Sequence, residues 1–102
     1  MGFTDVVEVA IGADLCTIEE ANDFIKEVPD KQPFMATSCC PAWSVMAKKL
    51  FPDFAPYISM ALTPMVLTGR LIKKKYPDCK VVFVGPCAAK KLEARRLSLI
   101  HI

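Results

Sequence analysis

Short apolar runs and helix-favouring stretches alternate along this chain of 102 residues, with proline or glycine at each join. The clearest run is residues 80–84, Lys-Val-Val-Phe-Val, which is brief and β-branched and ends at Gly85-Pro86. Residues 6–11, ahead of Gly12, and residues 34–37 read as two further strands. Between them, Ile18, Ala21, Phe24, Ile25 and Val28 recur at helical spacing behind a Thr17 N-cap, and Pro29-Asp30 ends that helix. Further helices are predicted from Pro41 to about Phe51, from about Ser59 to Tyr76, and from Cys87 to Arg96. Pro41 suits a first turn, where its missing N–H costs nothing. Strands separated by helices predict an α/β fold, a partial parallel sheet of about three strands with flanking helices. So thin a sheet is expected to be part of a larger domain.

Hydrophobic residues make up 53% of the chain, enough for a core. A net charge of +2 gives no reason to expect nucleic acid as a partner. The one basic run, Lys73-Lys74-Lys75, falls at a predicted helix end, where it complements the helix dipole. No stretch is apolar for long enough to cross a bilayer, and MGFTDVVEVA lacks the layout of a signal peptide, so a cytoplasmic setting is expected. The five cysteines (16, 39, 40, 79 and 87) are an odd number, which argues against a disulfide framework. Adjacent Cys39 and Cys40 could hardly bridge each other without strain.

The last six residues, LSLIHI, break abruptly from the charged run before them and match one reading frame of a transposon adapter used in DNA-library preparation. Residues 97–102 are therefore expected to be a non-native tail on a native stretch of 1–96, and no chemistry is assigned to the single histidine, His101.

Ligands of parallel sheets bind beyond the carboxyl ends of the strands. Two strand-to-helix junctions here are built alike: Thr37-Ser38-Cys39-Cys40-Pro41-Ala42-Trp43 and Gly85-Pro86-Cys87-Ala88-Ala89-Lys90-Lys91-Leu92-Glu93. If the strands run parallel, Cys39, Cys40 and Cys87 converge at one end of the sheet. A helix N-terminus favours thiolates, and thiolates bind iron–sulfur clusters. Zinc is disfavoured, because no CxxC pair is present. Neighbouring cysteines leave the backbone in different directions, so one can be a ligand while the other carries a proton. Cys87, Lys90 and Glu93 share a helix face, where Lys90 could hold an anion and Glu93 relay protons; spacing alone favours a plain surface pair. Cys16 and Cys79 read as small structural hydrophobes, and Trp43, Met46, Met60 and Met65 as core.

TSCCPAW and PCAAKKLE resemble the first two signature motifs of the FeFe (iron-only) hydrogenase active-site domain, and the likeness runs from about Gly2 to Arg96, GADL (residues 12–15) included. The resemblance implies an oxidoreductase that interconverts dihydrogen with protons and electrons. Its cofactor would be a 4Fe–4S cluster joined to a two-iron subcluster with CO, cyanide and a dithiolate bridge. By resemblance, Cys40 and Cys87 are cubane ligands, Cys39 passes protons to the bridge, and Lys90 hydrogen-bonds a cyanide. Glu93, Ser59 and Glu20 match proton-path positions, with Asp23 where glutamate is usual. Pro64 and Pro86 would line the two-iron pocket. Gly85 stands where prototypical members have methionine, a change similar to that in sensory members, and Leu62 and Met65 replace more polar residues near that pocket. The third signature motif, with the other two ligands, is absent, so the chain alone is expected to be inactive. Ferredoxin or another redox protein is the implied electron partner, in an anaerobic cytoplasm. Three other readings stand beside the enzyme: a hydrogen-sensing regulator, an iron–sulfur assembly factor of the same group, and a plain α/β interaction domain.

Overall fold

The computed structural model describes residues 2–97, with side chains to residue 96. Its elements are α1 (Val9–Glu27), α2 (Pro41–Leu50), a 3-10 helix η1 (Pro52–Tyr57), α3 (Pro64–Lys75) and α4 (Ala88–Leu97). All of the suspected tail but Leu97, the last residue of α4, lies outside the described residues.

The expected parallel sheet is not there. Among the described residues the extended segments make only isolated bridges: Ala36 pairs with Ile58 in parallel, and Val82 is the sole bridge residue of the 80–84 run. The third expected strand is extended coil up to Glu8, then helix. β-Propensity measures how well a residue fits a pleated, half-buried surface, and it yields a strand only where neighbouring strands supply that surface.

Helix α1 therefore begins earlier than its apolar period suggests. Thr17 does not cap it; its hydroxyl lies mid-helix and donates to the Ala13 carbonyl at 3.0 Å. The buried stripe of α1 is also not the apolar one. Gly12 and Cys16, four residues apart, are its buried positions, with Glu20, Asp23 and Glu27 continuing the stripe half-buried, while Ile18, Phe24 and Ile25 are exposed.

Gly12 is what allows α1 to lie close on α3. A Cβ at this position would stand 2.8 Å from the Pro64 carbonyl oxygen and collide with the Thr68 hydroxyl. That hydroxyl is pinned by donating to the same Pro64 carbonyl at 2.7 Å. Because one obstacle is backbone, Gly12→Ala must push the helices apart. Its expected cost is about 1–3 kcal/mol of stability, and urea unfolding of the two chains measures it.

Helix α2 starts as its sequence indicates, with Cys40 as N-cap, Pro41 at the first helical position, and the Ser44 N–H donating to the Cys40 carbonyl at 3.0 Å. Helix α3 starts later than expected. Thr63 is its cap, accepting from the Val66 N–H at 3.5 Å, and Pro64 fills the first position. Residues 59–63 stay extended because the Ser59 N–H donates to the Ala36 carbonyl (2.7 Å), just as the Ala36 N–H donates to the Tyr57 carbonyl (2.8 Å). Lys73, Lys74 and Lys75 occupy the last turn of α3, as predicted.

The core is small. Met65, Val66 and Ala94 join α3 to α4, with Leu62, Val81 and Phe83 packed on them. Of the four residues expected inside, only Met65 is buried; Met60 is 86% exposed, and Trp43 and Met46 are also largely open. The accessible surface is 7453 Å², against roughly 5,700 Å² for a compact monomer of this mass. Much apolar area has thus not left water.

Candidate metal centre at two helix N-termini

The two cysteine-bearing junctions lie side by side, though no sheet edge aligns them. Helices α2 and α4 pack together, and Lys90, in the first turn of α4, donates from Nζ to the Cys39 carbonyl at 3.1 Å. The same ammonium bonds Glu93 Oε2 at 3.0 Å. Only 13% and 12% of these two side chains is exposed, so this is a largely buried pair and not the surface pair that spacing favours. Low dielectric strengthens such a pair and makes either charge costly to leave alone.

Each junction presents a cysteine at a helix start. Cys40 caps α2 and is half-buried. Cys87 precedes α4, is exposed, and accepts from the Lys90 N–H at 3.2 Å through its carbonyl. Both thiols thus sit at the start of a helix, beside its free backbone N–H groups. Cys39 is exposed, and Pro86 beside Cys87 is exposed as well. The chemistry of this donor set, two thiols at adjacent helix N-termini, fits a thiolate-bound iron–sulfur cluster. Among the described residues no group of three or more His, Cys, Asp or Glu is gathered to hold a metal ion, and two thiols are fewer than the four that a cluster takes.

Of the remaining predicted positions, Glu20 alone bonds a junction residue directly among the described hydrogen bonds. Glu20 Oε1 accepts from the Ser38 N–H at 3.5 Å, linking α1 to the first junction. Ser59 is buried, and its Oγ accepts from the Ala61 N–H at 3.1 Å. Asp23 is half-buried one turn beyond Glu20, and Pro64 is half-buried at the start of α3.

Cys16 belongs to the same neighbourhood. It is buried as expected, but its Sγ also donates to the Leu62 carbonyl at 2.7 Å. Burial pushes this thiol above its ordinary value of 9.0; the Glu20 and Glu19 carboxylates and Cys39 push the same way, and Lys90 opposes them. Cys16 is consequently a protonated donor at neutral pH. Its spacing of four from Glu20 was the available signal, outweighed by the apolar stripe on the other side of α1. A cavity of about 270 Å³ between Phe34, Trp43, Phe51, Phe54 and Ile58 has apolar walls and no group able to do chemistry.

The family described as "Iron only hydrogenase large subunit, C-terminal domain" matches residues 1–101. The chain belongs to this family. Iron hydrogenase 1 of Clostridium pasteurianum is 36% identical over 94% of the chain, and the periplasmic [Fe] hydrogenase large subunit of Nitratidesulfovibrio vulgaris 31% identical over 97%. The cytosolic Fe-S cluster assembly factor NAR1 of Yarrowia lipolytica is 35% identical over 94%. The iron-only hydrogenase family thus includes hydrogenases and assembly factors. The chain spans 18%, 26% and 21% of the lengths of these three relatives. No solved structure matches. Among the described residues, no helix is long and apolar enough to cross a membrane.

Proposed function

We propose that this chain is part of an FeFe hydrogenase, contributing two ligands and most of a proton route to its iron–sulfur centre. The observation that carries the reading is the Lys90 bridge, which holds the Cys87 junction against the backbone of Cys39. Cys40 and Cys87 bind the 4Fe–4S cluster as thiolates. Lys90 offers an N–H to a cyanide, a charge-assisted contact suited to an ammonium. Pro64 and Pro86 would line the two-iron side. When bound, the centre interconverts dihydrogen with two protons and two electrons. The protein's share of that chemistry is to move protons. Cys39 would hold the proton beside the bound centre, with Glu93, Ser59, Glu20 and Asp23 as the groups that would relay it, the last two on the buried stripe of α1. Asp23 is one methylene shorter than glutamate and works through a bridging water. Electrons come from ferredoxin or a similar redox protein, in an oxygen-poor cytoplasm.

The assembly-factor reading is favoured by one observation, the 35% identity to NAR1. Retention of Cys39 and Lys90 at the junction favours the enzyme. Hydrogen evolution from a reduced dye discriminates. A longer polypeptide that contains this chain, matured without oxygen, is expected to evolve hydrogen, and the 102-residue chain alone is not. A longer protein replete in iron but inert toward hydrogen would transfer the assignment to assembly. Turnover by the isolated chain would overturn the two-ligand reading.

A further inference from the structure

The turn that carries Cys39 and Cys40 is held from both sides. After it come the Cys40 cap of α2 and the Lys90 bond to the Cys39 carbonyl. Before it stands Ser38, half-buried, whose hydroxyl donates to the Ala61 carbonyl at 3.1 Å and whose N–H points to Glu20 at 3.5 Å. Ala61 is fixed in turn, because its N–H donates to Ser59 Oγ at 3.1 Å. One residue's two polar groups thereby tie the turn to α1 and to the extended segment that leads into α3.

We propose that Ser38 is a positioning residue for the Cys39-Cys40 turn, acting through its hydroxyl bond to the Ala61 carbonyl. The Ser38 hydroxyl is the only side-chain group within this turn's own TSCC sequence that bonds across to residues 59–63 among the described hydrogen bonds. The Ala36–Ile58 pairing aligns the two segments two residues earlier but stops there, so Ser38 extends their registration to the cysteines themselves. A ligand and a proton carrier on consecutive residues must point in different fixed directions. Small rotations of their shared peptide would exchange one error for another, and first-contact groups need a supporting shell that prevents this. Alanine at residue 38 keeps the backbone path but loses the hydroxyl, whereas threonine keeps it.

The inference rests on the proposed roles of Cys39 and Cys40, but its test reads thiol geometry and not hydrogen chemistry, so the two can fail separately. The probe is iodoacetamide, applied to the 102-residue chain with alkylation of each cysteine followed by peptide mass spectrometry. In Ser38→Ala the rates at Cys39 and Cys40 are expected to change by about three- to tenfold, the range corresponding to one lost hydrogen bond. Cys79 and Cys87 keep their rates, and Ser38→Thr restores the original pattern. Unchanged rates at Cys39 and Cys40 in Ser38→Ala, or an equal change at all five cysteines, would overturn the proposal. Should Ser38→Ala fail to fold, the isosteric pair Ser38→Thr and Ser38→Val decides instead, because the two differ in the hydroxyl alone. Equal rates at Cys39 and Cys40 in that pair overturn the proposal.

Discussion

Cys40→Ala or Cys87→Ala in the longer protein is expected to remove most of the cluster-bound iron, by roughly tenfold or more per chain. Loss of a group merely supporting a ligand costs about 10–100-fold in metal affinity, and loss of the ligand itself is expected to cost at least as much. The reason lies in the two helix starts. Each places its thiol in the junction, and iron binds thiolate much more strongly than the water that an alanine would admit. Cys79→Ala is the control. Its thiol is half-buried, and its carbonyl accepts from Lys73 at the far end of α3, so iron content should stay as in the unaltered protein. Metal analysis of anaerobically purified protein gives the numbers. Full iron in both ligand variants would remove the cluster assignment and return the chain to a plain interaction domain.

Cys39→Ala is expected to behave in the opposite way: iron is retained and hydrogen turnover falls by about 10²–10⁴, the usual contribution of one positioned proton donor. The thiol is exposed, and Lys90 holds this residue through its backbone carbonyl, which alanine preserves. Cys39→Ser keeps a hydroxyl of far lower acidity and should recover little. Turnover with a reduced dye, normalised to iron, separates this loss from loss of the cluster. Undiminished turnover in Cys39→Ala would mean that protons take another road.

The helices were largely legible in the sequence because their signals are local. Pro41 and Pro64 occupy first turns, and the three lysines close α3. The strands were not legible, because residues 6–11 and 80–84 carry β-branched composition, and 34–37 a short run before a turn, without the neighbours that make a ladder. On α1 the apolar period pointed away from the face that packs. A glycine, a thiol and carboxylates make poor hydrophobic signals, yet they form the stripe laid toward α3 and the junctions. The site was readable at the level of motifs, with Cys39, Cys40, Cys87, Lys90 and Glu93 adjoining in two stretches. What motifs could not convey was the contact made across 51 residues, from the Lys90 ammonium to a backbone carbonyl, or the burial of its partner Glu93.

The lone pairing of Ala36 with Ile58 has a consequence for how such a domain can be completed. Two chain segments already run in the same direction at hydrogen-bonding distance, and the closure entropy of bringing them together is already spent on the connection through α2 and η1. Any further strand joining there extends an existing register and need not nucleate one. The direction and spacing of a sheet are in this sense written into two residues, ahead of the sheet itself.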